Sequence, residues 1–247
     1  PLSSRAMEEL LAGLVPGLPS EVRDRILARA EGIPLYAVET VRMLLDRGLL
    51  VQEGPAYRLT GPVDALEVPE TLHALIAARL DGLSAEERRL LQDAAVLGKT
   101  FTKEALAALA PADAEVESLL TALARKEVLG VQADPRSPEH GQYGFLQDLV
   151  RHVAYETLSK RERRARHLAA AAHLSAAFAE DEDEVVEVIA SHYLAAYEAA
   201  PDAEDAGEIR SKAQTMLVRA GQRAESLAAA AEARRYFEHA AELTGGP

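Results

Sequence analysis

No cysteine occurs in this 247-residue chain. That excludes a disulfide framework, thiolate metal sites and thiol nucleophiles, and it fits a reducing cytoplasm, where the protein is expected. Tryptophan is also absent and aromatics make up only 4 % of residues, so large rings cannot dominate the core. No apolar run approaches the roughly 18 residues that a membrane helix needs. The N-terminus lacks the basic and then apolar stretches of a secretory signal. Positive charge is scarce as well: 27 Lys and Arg face 40 Asp and Glu, giving a net charge of −13. A field of that sign opposes phosphate contacts and weighs against nucleic-acid binding, although it leaves room for a local basic patch.

What remains is a folding sequence, 48 % hydrophobic, in which Ala and Leu predominate. These residues lose least on entering a helix, so the expected fold class is mainly α, helix packed on helix. The length suffices for one large domain or two to three small ones. Helical spacing recurs in Met7, Leu10, Leu11 and Leu14, in Val22, Ile26 and Leu27, and in Val38, Val41, Leu44 and Leu45. The break Pro16-Gly17-Leu18-Pro19-Ser20 separates the first two helices, with Ser20 as the expected N-cap. A short hairpin is expected over Leu49 to Leu59, turning at Glu53-Gly54-Pro55. Residues 1–67 form the first segment.

The second segment, 68–159, opens with a helix from Pro69 to Leu80. A capping box at Ser84-Ala85-Glu86-Glu87 starts the next, which ends near Gly98. Thr102 caps a short helix and Asp113 a longer one reaching Lys126. Two strands follow, Val128 to Gln132 and Gln142 to Phe145, joined through Asp134-Pro135-Arg136-Ser137-Pro138. Three helices and then a two-stranded ribbon is the order of a winged helix. The third segment, 160–247, holds two long helices around the acidic run Glu180-Asp181-Glu182-Asp183-Glu184, then a helical pair from about Ala203. In that pair Leu217, Gly221, Ala233, Phe237 and Ala240 have the spacing of a tetratricopeptide repeat, whose period is about 34 residues. One repeat is unstable alone, so an array continuing past Pro247 is expected. The start at Pro1 and the close on Gly245-Gly246-Pro247 also suggest a segment of a longer polypeptide.

Residues that could carry chemistry are few. Gly98-Lys99-Thr100 mimics the end of a phosphate-binding loop, but Asp93 stands where that loop needs its first Gly. None of the seven histidines forms a metal-binding His-x3-His or His-Glu-x2-His pattern. The acidic run lacks the alternating ligands and Gly of a calcium loop, so no metal site is expected. No strained nucleophile elbow is present, and no catalytic residue can be named. The basic run Arg161, Arg163, Arg164 and Arg166, with Lys160, is the best nucleic-acid patch. The expected recognition helix, however, begins with Asp113, Glu115 and Glu117, which repel phosphate. A solvated helix face is the simpler reading of the arginines.

Taken in order, these pieces resemble the region that follows the nucleotide-binding domain in signal-transduction ATPases with numerous domains. The nearest flavour is the multidomain adenylate/guanylate cyclases that carry an ATPase module and tetratricopeptide repeats. The segments concerned are Ala30-Glu31-Gly32-Ile33-Pro34-Leu35-Tyr36 with Glu39 and Arg42-Met43-Leu44, and Leu80-Asp81-Gly82-Leu83 with Ala94-Ala95-Val96-Leu97-Gly98 and Phe101. A third is Tyr143-Gly144-Phe145-Leu146-Gln147-Asp148-Leu149-Val150-Arg151 with Ala154-Tyr155-Glu156-Thr157-Leu158. Gln147 departs from the pattern, since many such relatives carry His there. The resemblance implies a helical lid, a winged-helix domain and helical repeats, together a non-catalytic regulatory segment. Gly32 and Pro34 would form a nucleotide-sensing turn that works only with the upstream domain. That domain, a partner in cis, would supply ATP or ADP and Mg; no cofactor is expected in this segment itself. The repeats would receive a protein or small-molecule ligand, and a cyclase is a candidate output. The alternative is a winged-helix DNA-binding transcriptional regulator.

Overall fold

A computed structural model describes residues 1–54, 56–61, 69–133, 136–137 and 139–244. Among these the chain forms twelve α-helices and five short strands. It divides into two compact units, Pro1–Arg88 and Arg89–Pro247.

In the first unit, α1 (Ser4–Leu14) is capped by Ser3, whose hydroxyl accepts from the Ala6 amide. The following turn brings Gly17 to φ +78°, where an added Cβ would lie 2.8 Å from Ala56 Cβ. Glycine is therefore required there for close approach as well as for the turn. Helix α2 (Ser20–Ala30) has Pro19 at its N-cap with no side-chain bond, so Ser20 is the first helical residue and not the cap. Helix α3 (Pro34–Asp46) begins with proline, whose missing N–H and fixed φ suit that position. Strands β1 (Leu50–Glu53) and β2 (Ala56–Leu59) pair antiparallel, with Leu50 opposite Leu59. Pro55 of the expected turn lies outside the described residues. Helix α4 (Leu72–Asp81) starts three residues later than the sequence suggested, because Thr71 accepts from the Ala74 amide and caps it.

Met7, Leu11, Val22, Ile26, Leu44 and Leu75 form the core of this unit. Amid them sits a fully buried carboxylate, Glu39. Arg79 donates to one of its oxygens at 2.7 Å and Arg42 to the other at 3.0 Å. Both oxygens thus hold a charge-assisted bond, the condition under which burying the charge is tolerable.

Helix α5 (Ala85–Leu97) contains the division between the units. Its capping box is complete: the Ser84 amide donates to Glu87 at 2.9 Å, and the Glu87 amide to Ser84 at 3.1 Å. In the second unit β3 (Thr100–Phe101) precedes α6 (Lys103–Leu109), which Thr102 caps as expected. Helix α7 (Val116–Arg125) has Glu115 at its N-cap with no side-chain cap bond, so Asp113 does not perform that role. Strands β4 (Leu129–Val131) and β5 (Tyr143–Phe145) follow. The sheet has three antiparallel strands in the order β3-β5-β4, one more than the ribbon expected. Phe101 packs edge-on to Phe145 at 6.2 Å between ring centroids, which seats the added strand. Gly144 admits it, since an added Cβ would lie 3.1 Å from the Lys99 carbonyl oxygen. Asp134, Pro135 and Pro138 of the expected loop lie outside the described residues, as do residues 62–68 and Gly245-Gly246-Pro247.

Helix α8 (Asp148–Glu156) leads into α9 (Lys160–Ala177), opened by a capping box between Ser159 and Glu162. A single 3-10 turn (Glu182–Glu184) precedes α10 (Val186–Ala199), α11 (Ala206–Ser226) and α12 (Ala230–Glu242). Each of α9 to α12 packs on the next in series. Ala171, Ala190, Ala213, Ala220, Ala233 and Ala240 are buried between them. Small side chains let the helix axes approach, and dispersion contacts replace the missing bulk.

Candidate functional site

The α11–α12 hairpin carries a candidate surface. Leu217 and Gly221 on α11 meet Ala233, Phe237 and Ala240 on α12. Every one of these except the half-buried Phe237 is buried. A Cβ added at Gly221 would lie 2.5 Å from Phe237 Cε1, so the ring occupies the space that glycine leaves. Beside this interlock a groove of about 700 Å³ opens along α12. Ala230, Ala233, Phe237 and Ala241 supply its apolar floor, and Arg234 and Glu238 its charged rim. Those two pair at 3.3 Å across one helical turn and stay largely exposed. Leu227, 66 % exposed, stands at the turn between the helices.

The Gly32-Ile33-Pro34 turn is left-handed at both Glu31 (φ +46°) and Gly32 (φ +78°). The Leu2 amide donates to the Gly32 carbonyl at 2.7 Å, and a Cβ at Gly32 would meet the Leu2 oxygen at 2.6 Å. The close approach that glycine permits is thus made by the chain's own first residues. Pro34 is partly exposed at the start of α3, next to the exposed Ile33.

The basic run is mostly engaged within the chain. Arg166 donates to Asp93 at 2.6 Å, Arg164 pairs with Asp205, and Arg163 donates to the Glu156 carbonyl while stacking over Tyr155 at 4.6 Å. Lys160 and Arg161 are exposed. Gln147 stands at the N-cap of α8 and makes no side-chain cap bond there. In the segment that mimics a phosphate loop, Gly98 follows the end of α5 and Thr100 is paired in the sheet.

A buried chain of titratable groups went unnoticed in the sequence. The Tyr155 hydroxyl lies 2.9 Å from His167 Nε2, and His167 Nδ1 lies 2.9 Å from His192 Nδ1. The second contact needs a proton on one nitrogen and a lone pair on the other, so two imidazolium rings cannot share it. Burial holds both rings well below the usual histidine range, at about 4; for His167 alone, the neighbouring His192 and the charge of Arg163 add to the lowering. His192 Nε2 is buried without a hydrogen-bond partner among the described residues. The separation of 25 residues between the two histidines gave no periodic signal. Nearby, Asp93 is raised to about 6: burial outweighs its bond to Arg166, and its second oxygen has no partner.

Among the described residues no group of three or more His, Asp or Glu is arranged to hold a metal ion, and no helix is long and apolar enough to cross a membrane. The chain matches no protein-family model, no curated protein and no solved structure.

Proposed function

We propose that this chain is a non-catalytic regulatory and interaction segment that couples the nucleotide state of a neighbouring ATPase domain to a partner sensed by its C-terminal helices. The observation that carries this reading is the interlock of Gly221 with Phe237 beside an open groove with an apolar floor. It suits a tetratricopeptide-type hairpin, whose outer helix needs a further helix to cover it. The order α5-β3-α6-α7-β4-β5, with β5 central in the sheet, supports a winged-helix reading of the middle of the chain. In this role the winged helix is a clamp on the nucleotide domain and not a DNA reader, since three of the four arginines of the basic patch hold intramolecular partners. Pro34 offers the rigid face of a nucleotide-sensing turn, with Gly32 setting its backbone. Exchange of ADP for ATP shifts the population only as far as the two states bind nucleotide differently.

The test is the native polypeptide. An antibody against this chain should detect a band well above 26.6 kDa whose immunoprecipitate binds and exchanges adenine nucleotide. A band at 26.6 kDa without bound nucleotide contradicts the reading. A salt-sensitive gel shift with generic duplex DNA, lost on substitution of Arg161, would favour the DNA-binding alternative.

A further inference from the structure

A second opening, of about 370 Å³, lies on another face of α11. Arg219, Gln222, Arg223 and Ser226 line it at helical spacings of three and four, which stack them on one stripe. Its remaining wall is Asp183, from the acidic run 180–184. The two ends of the stripe differ in state. The Arg219 guanidinium is held by Glu182 on one terminal nitrogen and by Asp183 on the other. One turn further on, the Arg223 guanidinium makes no hydrogen bond or ion pair with another described residue, nor does the Gln222 amide. The 3-10 turn at Glu182–Glu184 therefore presents two consecutive carboxylates to the first of two stacked arginines and leaves the second open.

We propose that this stripe of α11 binds an acidic peptide segment of a protein partner, and that the chain's own residues 180–184 occupy half of the site as an internal competitor. Planar guanidinium groups one turn apart suit carboxylates presented in succession, since each accepts two parallel hydrogen bonds. The net charge of −13 does not forbid this, because beyond about 8 Å it is screened at physiological salt. It does make the affinity depend on the two local guanidinium groups. A tethered competitor acts at an effective concentration of about a millimolar, so it masks a ligand of moderate affinity and yields to a longer acidic segment that also reaches Arg223. The site needs only α11 and the acidic turn, and it stands whether or not the hairpin belongs to a repeat array.

The test uses the whole chain and a fluorescein-labelled peptide Glu-Asp-Glu-Asp-Glu, read by fluorescence anisotropy. The double variant Glu182→Gln, Asp183→Asn should bind the peptide about tenfold more tightly than the unaltered chain, with affinity falling as salt rises. Adding Arg223→Gln to that variant should remove the gain, while circular dichroism confirms an unchanged helical fold. Equal binding by the opened and unaltered chains overturns the proposal, and so does an opened chain indifferent to Arg223→Gln. Inorganic phosphate displacing the peptide at equal concentration also overturns it, because the site would then recognise a small anion and not a peptide.

Discussion

Among the buried carboxylates of the described residues, Glu39 in the first unit and Asp93 in the second are treated differently. Glu39 is fully buried, with Arg79 on one oxygen and Arg42 on the other. Asp93 is 2 % exposed, with Arg166 on one oxygen and nothing on the other. An unpartnered charged oxygen keeps most of its desolvation penalty, and Asp93 is pushed up to about 6 in consequence. The second unit also buries two neutral imidazoles in contact, whose lowered proton affinity has the same cause. The first unit therefore uses a buried ion pair as a fixed brace. The second keeps its buried titratable groups close to the pH range in which they change state.

The comparison breaks most sharply at Arg79. Replacing it with Met should leave Glu39 under-compensated and destabilise the first unit by about 3–5 kcal/mol in urea unfolding. Replacing both Arg79 and Glu39 with Met should recover much of that loss, because no buried charge is then left uncompensated. The second largest effect is acid sensitivity. Each imidazole has a folded pKa below its unfolded value near 6.5, so its contribution is complete above that value and is lost as pH falls toward 4. Asp93 runs the other way: its folded pKa is raised, so its contribution is complete below about 3.8 and is lost as pH rises through about 6. Two imidazoles outweigh one carboxylate, and the second unit should lose stability on the order of a few kcal/mol between pH 6.5 and 4. Thermal melts across that range should show this acid limb, flattened by His192→Leu and steepened by Asp93→Asn.

Packing on α11 and α12 comes next. Gly221→Val should cost about 1–3 kcal/mol through overpacking against Phe237, and adding Phe237→Ala should return part of it. Additive losses in that double-mutant cycle would show that the two positions do not meet. The smallest effect sharpens the opening contrast: at pH 7 Asp93→Asn should change stability by less than about 1 kcal/mol, whereas Glu39→Gln should cost about 3.

Much of the helical outline was legible because it is written in local signals. The capping box at Ser84 and the hydroxyl cap of Thr102 fix the starts of α5 and α6, and the spacing of Leu217, Gly221, Ala233 and Phe237 anticipates a contact that forms between Gly221 and Phe237. Where the sequence misled, a competing local bond had won. Thr71 took the cap expected from a start at Pro69, and α7 starts without the help of Asp113. Strand β3 is only two residues long, too short for any periodicity, and exists because Phe101 finds Tyr143 and Phe145 across the sheet. The Tyr155–His167–His192 chain and the pairing of Arg219 with Glu182 and Asp183 join residues 12 to 37 positions apart. Pairings at such separations are set by helix packing and leave no mark in one sequence. Gly32 was legible as a turn, but its use against Leu2 was not.

The most direct measurement of the proposed coupling is the rate of ADP release from the intact native polypeptide, with Phe237 unaltered and with Phe237→Glu placing a charge in the groove. Regulation through the hairpin predicts a change of about threefold or more, which is a shift of at least about 0.6 kcal/mol in the barrier to release. Identical release rates in two equally folded proteins would contradict it.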